Sequence, residues 1–155
     1  MASGSSDTAG IDGRIGDCGL YEHGQRRAGR IPLGEAGNAA RETDGFVWIG
    51  LQQPTADDLA ELAEEFGLPA LAVEDAVKAH QRPKVEVYGD VLFVVLKPVR
   101  YIDHDEIVEV AEIALFLGDG FVVTVRHGNS DVLRQVRQGQ KLTLANLVSA
   151  TIDAF

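Results

Sequence analysis

The sequence predicts an α/β fold in which a mixed, mostly antiparallel sheet is flanked by helices. Three observations predict it: short apolar runs of strand length, apolar residues that recur at helical spacing between and after them, and tight glycine-containing turns between neighbouring strands. The chain has 155 residues, of which 45% are hydrophobic and 25% are charged. This length and composition indicate one globular domain that can bury a sizeable core.

The N-terminal part of the chain has the weakest pattern. Residues 1–13 are small and polar and are predicted to form a disordered tail. Between Arg14 and Arg30, apolar residues recur among turn formers around His23-Gly24, which predicts a β-hairpin. Residues 33–44 are predicted to be a polar connector.

A strand and two helices come next. Phe46 to Leu51 is a short apolar run that predicts the strand. Thr55 has the side chain of an N-cap and opens a helix that Gly67 ends. A second helix begins at Pro69 and ends at Gln81-Arg82-Pro83.

Further strands and a helical C-terminal region complete the pattern. The strands are predicted at Lys84 to Tyr88, Val91 to Leu96, Ile107 to Leu117 and Phe121 to Val125. The helices are predicted at Asp131 to Gln138 and Leu142 to Phe155. The run from Val91 to Leu96 is apolar throughout, which predicts a strand covered on both faces.

Charge and cysteine content limit the partners and the compartment. Lys and Arg number 14 against 24 Asp and Glu, giving a net charge of −10. Such a protein repels phosphate backbones, so nucleic acid is not expected as a partner. Cys18 is the single cysteine, so no internal disulfide forms and the chain is predicted to be cytoplasmic. The sequence has no run of about 18 apolar residues, so no segment is predicted to span a bilayer.

Motifs for catalysis are absent from the sequence, and we predict that the chain is not an enzyme. It contains no GxSxG, and Cys18 lies in a weakly ordered region. Gly118-Asp119-Gly120 joins two apolar strands and is therefore a turn, not a phosphate loop. No two of the four histidines have metal-ligand spacing, so a structural zinc site has no support; they are His23, His80, His104 and His127.

Carboxylates are the informative side chains. Most of them, in the stretches 57–65 and 103–112, are predicted to be solvated. Glu74-Asp75 differs because the pair lies within an apolar helix, where two adjacent carboxylates repel each other. A bound cation or a basic partner would relieve that repulsion, and hard divalent cations such as Mg²⁺ take oxygen ligands.

The chain from Trp48 onward resembles the cytoplasmic N-terminal domain of CorA-type magnesium and cobalt transporters. The resemblance keeps its order and spacing through Trp48-Ile49, Pro54-Thr55, Phe66-Gly67-Leu68, Glu74-Asp75, Gln81-Arg82-Pro83-Lys84 and the run FVVTVRHG from Phe121 to Gly128. It implies an α/β/α sandwich, here residues 14–155, that acts as a regulatory domain. It also implies neighbouring subunits of a homopentamer in the inner membrane.

In that family a stalk helix and two C-terminal membrane helices follow the domain, with a Gly-Met-Asn motif at the pore mouth. The sequence contains none of these, so it is expected to be a soluble fragment that conducts no ions and that can be monomeric when isolated. Divalent cations, Mg²⁺ or Co²⁺, bound between neighbouring domains would hold the channel closed, which makes the domain a magnesium sensor.

The resemblance assigns three metal-ligand candidates. Glu74 and Asp75 match the family position that contributes an acid to the interface, and Asp153 falls in a helix that resembles the last one before the stalk. Arg82 and Lys84 are expected to contact a neighbouring subunit, to contact an acidic stretch of this chain, or to be exposed. Core packing is predicted for Trp48, Phe66, Leu68, Phe93 and Phe121.

Three alternatives remain open at this point. The chain could be a stand-alone adaptor that kept the fold without a pore, and its gene would then stop near Phe155. It could belong to a zinc-exporting relative, because such proteins share the architecture. It could also be a metal-dependent hydrolase that uses the acids between Asp103 and Glu112, provided that they converge on one pocket.

Overall fold

The structure, a computed structural model, describes residues 15–27, 29–102 and 107–128. The strands in these ranges are β1 (Ile15–Glu22), β2 (Gln25–Arg27), β3 (Phe46–Gln52), β4 (Lys84–Tyr88), β5 (Val91–Leu96), β6 (Val99–Ile102), β7 (Ile107–Val110), β8 (Glu112–Gly118) and β9 (Phe121–His127). The helices are α1 (Leu33–Glu42), α2 (Ala56–Phe66) and α3 (Ala70–Lys78). The predicted tail, the two predicted C-terminal helices and Asp153 lie outside the described residues.

Seven of the strands form one mixed sheet in the order β2-β1-β3-β9-β8-β5-β4. Strands β3 and β9 are parallel, and the other neighbours in this sheet are antiparallel. Strands β6 and β7 form a separate antiparallel pair. The predicted fold class, an α/β fold with a mixed and mostly antiparallel sheet, is confirmed.

The central strands of the sheet are buried on both faces, whereas the edge strands β2 and β4 carry exposed residues. One face joins the buried side chains of α1, α2 and α3 in a single core that includes Ile49, Leu59 and Ala76. The other face carries a second cluster with Trp48 and Ile113. Side chains alternate along a strand, so a strand covered on both sides needs apolar residues at consecutive positions. This is why the central strands have no polar alternation.

The N-terminal hairpin is confirmed and is more ordered than predicted. Strands β1 and β2 pair across a turn in which His23 and Gly24 both have positive φ, as a tight hairpin turn requires. Cys18 was placed in a weakly ordered region, and that prediction is wrong. It lies on β1, pairs with Ile49 of β3 and is buried. The local pattern predicted the hairpin but not its order, because β1 is held by its pairing with β3.

Helix α1 occupies the segment predicted to be a polar connector, so that prediction is also wrong. Its buried face consists of Ala36, Gly37 and Ala40. A Cβ at Gly37 would lie 1.6 Å from a carboxylate oxygen of Glu65 on α2, so the glycine leaves room for that side chain. Small residues give almost no hydrophobic periodicity, although their spacing of three and four is helical.

Helices α2 and α3 form where the pattern predicts them. Thr55 and Asp58 form a reciprocal capping box at the start of α2, and Gly67 ends that helix in the left-handed conformation. Helix α3 follows Pro69 and stops at Lys78, three residues before the predicted boundary.

The long strand predicted from Ile107 to Leu117 is two strands. The strand is interrupted at Ala111, whose N–H donates to the carbonyl oxygen of Pro98. Strand β7 pairs with β6 on one side of this break, and β8 joins the large sheet on the other. Apolar residues on both sides of the break make the two strands look continuous in sequence.

Burial of Cys18 leads to a prediction about pH. Burial, together with the charge of Asp17, raises the pKa of the Cys18 thiol to about 11. An unfolded thiol ionises near pH 8.5, so the free energy of unfolding should fall as the pH rises from about 8.5 to 11. We expect the native chain to lose about 1–3 kcal/mol more over that window than Cys18→Ala does. Urea denaturation at several pH values measures this, and identical pH slopes in the two chains would contradict it.

Candidate functional site

The two acids singled out by sequence, Glu74 and Asp75, lie in the C-terminal half of α3. Successive helical residues point about 100° apart, so their carboxylates face different surroundings. Glu74 is half-exposed and forms an ion pair with Lys78 one turn later on the same helix. Asp75 is turned toward the sheet, where its Oδ2 lies 2.7 Å from Nζ of Lys84 on β4.

Lys84 lies between two carboxylates. Its Nζ is also 2.6 Å from Oε1 of Glu86, the next residue on the same face of β4. Hydrogen bonds to Asp75 and then to Glu86 raise the pKa of Lys84. The ammonium of Lys84 and then the hydroxyl of Tyr88 lower the pKa of Glu86, whose Oε2 accepts that hydroxyl at 2.9 Å. The row Asp75–Lys84–Glu86–Tyr88 ties α3 to the edge strand of the large sheet.

A buried acid, Glu112 of β8, contacts the turn between α3 and β4. Ala79 and His80 both have positive φ, and Ala79, at φ 59° and ψ −166°, is in a region that glycine normally occupies. The N–H of Gln81 donates to Oε1 of Glu112 at 2.9 Å, and Nζ of Lys97 is 3.5 Å from the same oxygen. Glu112 therefore fixes the conformation of the turn that carries the chain from Asp75 to Lys84.

A histidine contacts the same helix end. His127, at the end of β9, places Nε2 2.7 Å from the carbonyl oxygen of Ala76 on α3. This contact joins α3 to β9, while Glu112 of β8 contacts the turn that follows the helix. Sequence reasoning left His127 without a role because its partner is a main-chain atom distant in sequence.

The structure separates some of the predicted site residues and leaves others outside its description. Glu74 and Asp75 have different lysine partners. The acids of the hydrolase alternative are not described together, because 103–106 lie outside the described ranges and Glu112 is buried against Gln81 and Lys97. Within the described ranges, no group of three or more Asp, Glu, His or Cys side chains could hold a metal ion.

A comparison with known protein families gives a match that covers the site. The family model CorA, described as CorA-like Mg²⁺ transporter protein, matches residues 43–152. That range is more than half of the chain and contains α2, α3 and strands β3 to β9. The chain belongs to the CorA-like Mg²⁺ transporter family.

Relatives of this CorA-family chain include larger proteins. The cobalt/magnesium transport protein CorA of Thermotoga maritima is 30% identical over 99 residues, which cover 63% of this chain and 28% of that protein. The ZntB cytoplasmic domain from Vibrio parahaemolyticus has a similar fold, with a TM-score of 0.68 at 15% identity over 91% of this chain and 57% of that one. The CorA magnesium transporter from Methanocaldococcus jannaschii gives 0.57 at 14% identity over 73% of this chain and 38% of that one.

The chain thus spans less than two thirds of the length of these CorA-type and ZntB-type proteins. In the part of the chain that the structure describes, no helix is both long and apolar enough to cross a membrane.

The chemistry of the donors on α3 fits one kind of magnesium site. Mg²⁺ is usually held by one or two carboxylates with water in its other positions. Asp75 suits that role, because its side chain is 28% exposed and its carboxylate lies at the surface between α3 and β4. The described residues would contribute one or two acids to a hydrated ion, and they do not form a closed protein cage.

Sequence reasoning singled out Asp75 as a candidate but did not identify the side chains that surround it. Lys84 was expected to contact a neighbouring subunit, to contact an acidic stretch, or to be exposed, and the structure places it on Asp75 and Glu86. The alternation of Lys84, Glu86 and Tyr88 on one face of a predicted strand was the available signal. Nothing in the sequence indicated which helix that face would meet.

Proposed function

We propose that this chain is the cytoplasmic regulatory domain of a divalent-cation transporter of the CorA type, and that it senses intracellular Mg²⁺. Asp75, with Glu74 beside it, would supply carboxylate oxygen to a hydrated Mg²⁺ or Co²⁺ at a contact with a neighbouring subunit of a homopentamer in the inner membrane. Asp153 would add a further acid. The family match over residues 43–152 is the observation that carries the proposal.

The mechanism would be linkage between metal binding and subunit association. A cation that prefers the closed arrangement of two subunits shifts the population toward it by its difference in affinity for the two states. Without the cation, acids that face one another across the contact would repel and weaken the closed state. The partly exposed carboxylate of Asp75 and the acidic net charge of −10 both favour cation binding.

Replacing Asp75 tests the metal site. We expect Asp75→Ala to weaken Mg²⁺ binding by at least about tenfold, because one of very few protein ligands is lost. Calorimetric titration of the chain with Mg²⁺ measures this, and Mg²⁺ regulation of transport measures it in any longer protein that the gene encodes. Glu64→Ala, which removes an exposed acid of α2, is the matched control. Unchanged behaviour of Asp75→Ala in both assays would remove Asp75 from the site.

The alternatives have separate tests. Reading the gene beyond the codon for Phe155 distinguishes a transporter from an adaptor: a frame that continues into a long helix, two apolar spans and Gly-Met-Asn supports the transporter. A frame that stops there leaves the adaptor. Parallel titrations with Mg²⁺, Co²⁺ and Zn²⁺ rank the ions, and a clear preference for Zn²⁺ would favour a zinc-transporting relative.

A further inference from the structure

The Asp75 carboxylate, which is proposed to bind the metal, already forms an ion pair with the ammonium of Lys84. Asp75 and Lys84 are both partly exposed, with side chains 28% and 29% accessible, and their charged atoms are in hydrogen-bond contact. A divalent cation that binds Asp75 directly must take the place of this ammonium. The ammonium has a second carboxylate, Glu86, within reach without leaving its strand.

We propose that Lys84 is a tethered competitor of the metal, which moves from Asp75 to Glu86 alone when a divalent cation binds. This inference rests on the proposed function, because it concerns regulation of the same site. Lys84 would set the threshold concentration of the cation, and Glu86 would hold the displaced ammonium. Lys84 and Glu86 thus act as positioning residues that need not touch the metal.

Charge explains why such an exchange selects divalent cations. A monovalent ion that displaces the ammonium replaces one positive charge by another, and it also loses part of its own hydration. A divalent ion adds a net positive charge beside Asp75 and the neighbouring Glu74. The tethered ammonium therefore disfavours Na⁺ and K⁺ at Asp75 more than it disfavours Mg²⁺.

The position of the Glu86 carboxylate allows it to stay in contact with Lys84 after the exchange. Its Oε2 accepts the Tyr88 hydroxyl, and its Oε1 faces Lys84 while both residues remain on one face of β4. The Nζ of Lys84 also lies 5.8 Å from the centre of the Phe93 ring, a favourable place for a cation. An ammonium that leaves Asp75 thus keeps two of its three stabilising contacts.

Removing the competitor should tighten metal binding. We expect Lys84→Gln to bind Mg²⁺ roughly two- to fivefold more tightly than the native chain, the range that partly exposed ion pairs support. Calorimetric titration with Mg²⁺ measures the affinity, and Mn²⁺ broadening of the amide resonances around Asp75 reports weak binding. Arg82→Gln is the matched control, because it removes the same charge two residues away and Arg82 forms no ion pair with Asp75. A Lys84→Gln affinity equal to that of Arg82→Gln would overturn the exchange.

A second variant separates exchange from general electrostatics. Glu86→Gln leaves the ammonium with Asp75 as its one carboxylate partner in this row, so we expect Mg²⁺ to bind roughly two- to fivefold more weakly. In the Lys84→Gln background, Glu86→Gln should change the Mg²⁺ affinity much less, because no Lys84 ammonium remains to contact Glu86. Equal effects in the two backgrounds would show a simple charge effect and overturn the proposal. This variant also keeps the test available if Lys84→Gln does not fold.

The outcomes distinguish this inference from the function on which it rests. A native chain and variants that all fail to bind Mg²⁺ and Mn²⁺ would overturn both. Native binding that depends on Asp75 but is insensitive to Lys84 and Glu86 would leave the metal site standing and overturn only the exchange. The expected result is tighter binding in Lys84→Gln, weaker binding in Glu86→Gln, and a non-additive double variant.

Discussion

Trp48→Ala is expected to lower the free energy of unfolding by about 3–5 kcal/mol, the usual cost of truncating a large buried aromatic side chain. Trp48 is 1% exposed and belongs to the cluster on the second face of the sheet. Its indole lies 6.1 Å from the ring of Tyr21, and Nε1 donates to Oγ1 of Thr124 at 3.1 Å. The substitution removes the packing and takes a hydrogen-bond donor away from a fully buried hydroxyl. Urea denaturation followed by circular dichroism measures the change.

Trp48→Phe is the matched control. It keeps an aromatic ring in the cluster but has no group that can donate to Thr124. We expect it to cost about 1–3 kcal/mol, from the smaller ring and the lost hydrogen bond. A free energy of unfolding for Trp48→Ala within about 1 kcal/mol of the native value would contradict the assignment of Trp48 to the core.

The elements that sequence predicts well are those whose burial depends on large side chains. Strands β3, β5 and β9 consist mainly of Val, Ile, Leu and aromatic residues between turns, so their type and position follow from local composition. Helix α1 was missed because its buried face is alanine and glycine. Leu71 shows the converse case: it is a large apolar residue of α3, yet it is 66% exposed, while the small residues Ala72 and Ala76 face the core.

The candidate site was predictable only in part. The position of Glu74-Asp75 on a helix follows from local pattern, and the structure confirms it. The partners of Asp75 and Glu112 depend on which strand lies beside α3, and strand order is a long-range property that periodicity does not contain. Asp153 and the metal-binding role of all three acids stay predictions.

Glu112→Ala is expected to cost about 3 kcal/mol, near the lower bound for removing one partner of a buried ion pair. Glu112 is 6% exposed, and sequence reasoning grouped it with the acids of a possible hydrolase site. Its carboxylate instead joins β8 to the main chain at Gln81 and to Lys97. Its removal leaves the partly buried N–H of Gln81 without this acceptor and the ammonium of Lys97 without this carboxylate. The turn at Ala79 then loses a contact that holds its unfavourable backbone conformation.

Glu112→Gln separates the charge from the hydrogen bond, because the amide oxygen can still accept from Gln81. We expect it to cost about 1 kcal/mol, and amide hydrogen exchange at Gln81 to remain slow. In Glu112→Ala, exchange at Gln81 should accelerate more than exchange at the amides of α3. Because the turn connects Asp75 to Lys84, this substitution should also disturb their ion pair. Glu112→Ala could instead keep slow amide hydrogen exchange at Gln81 and a free energy of unfolding within about 0.5 kcal/mol of the native value. That result would mean that the turn keeps its conformation without the buried acid.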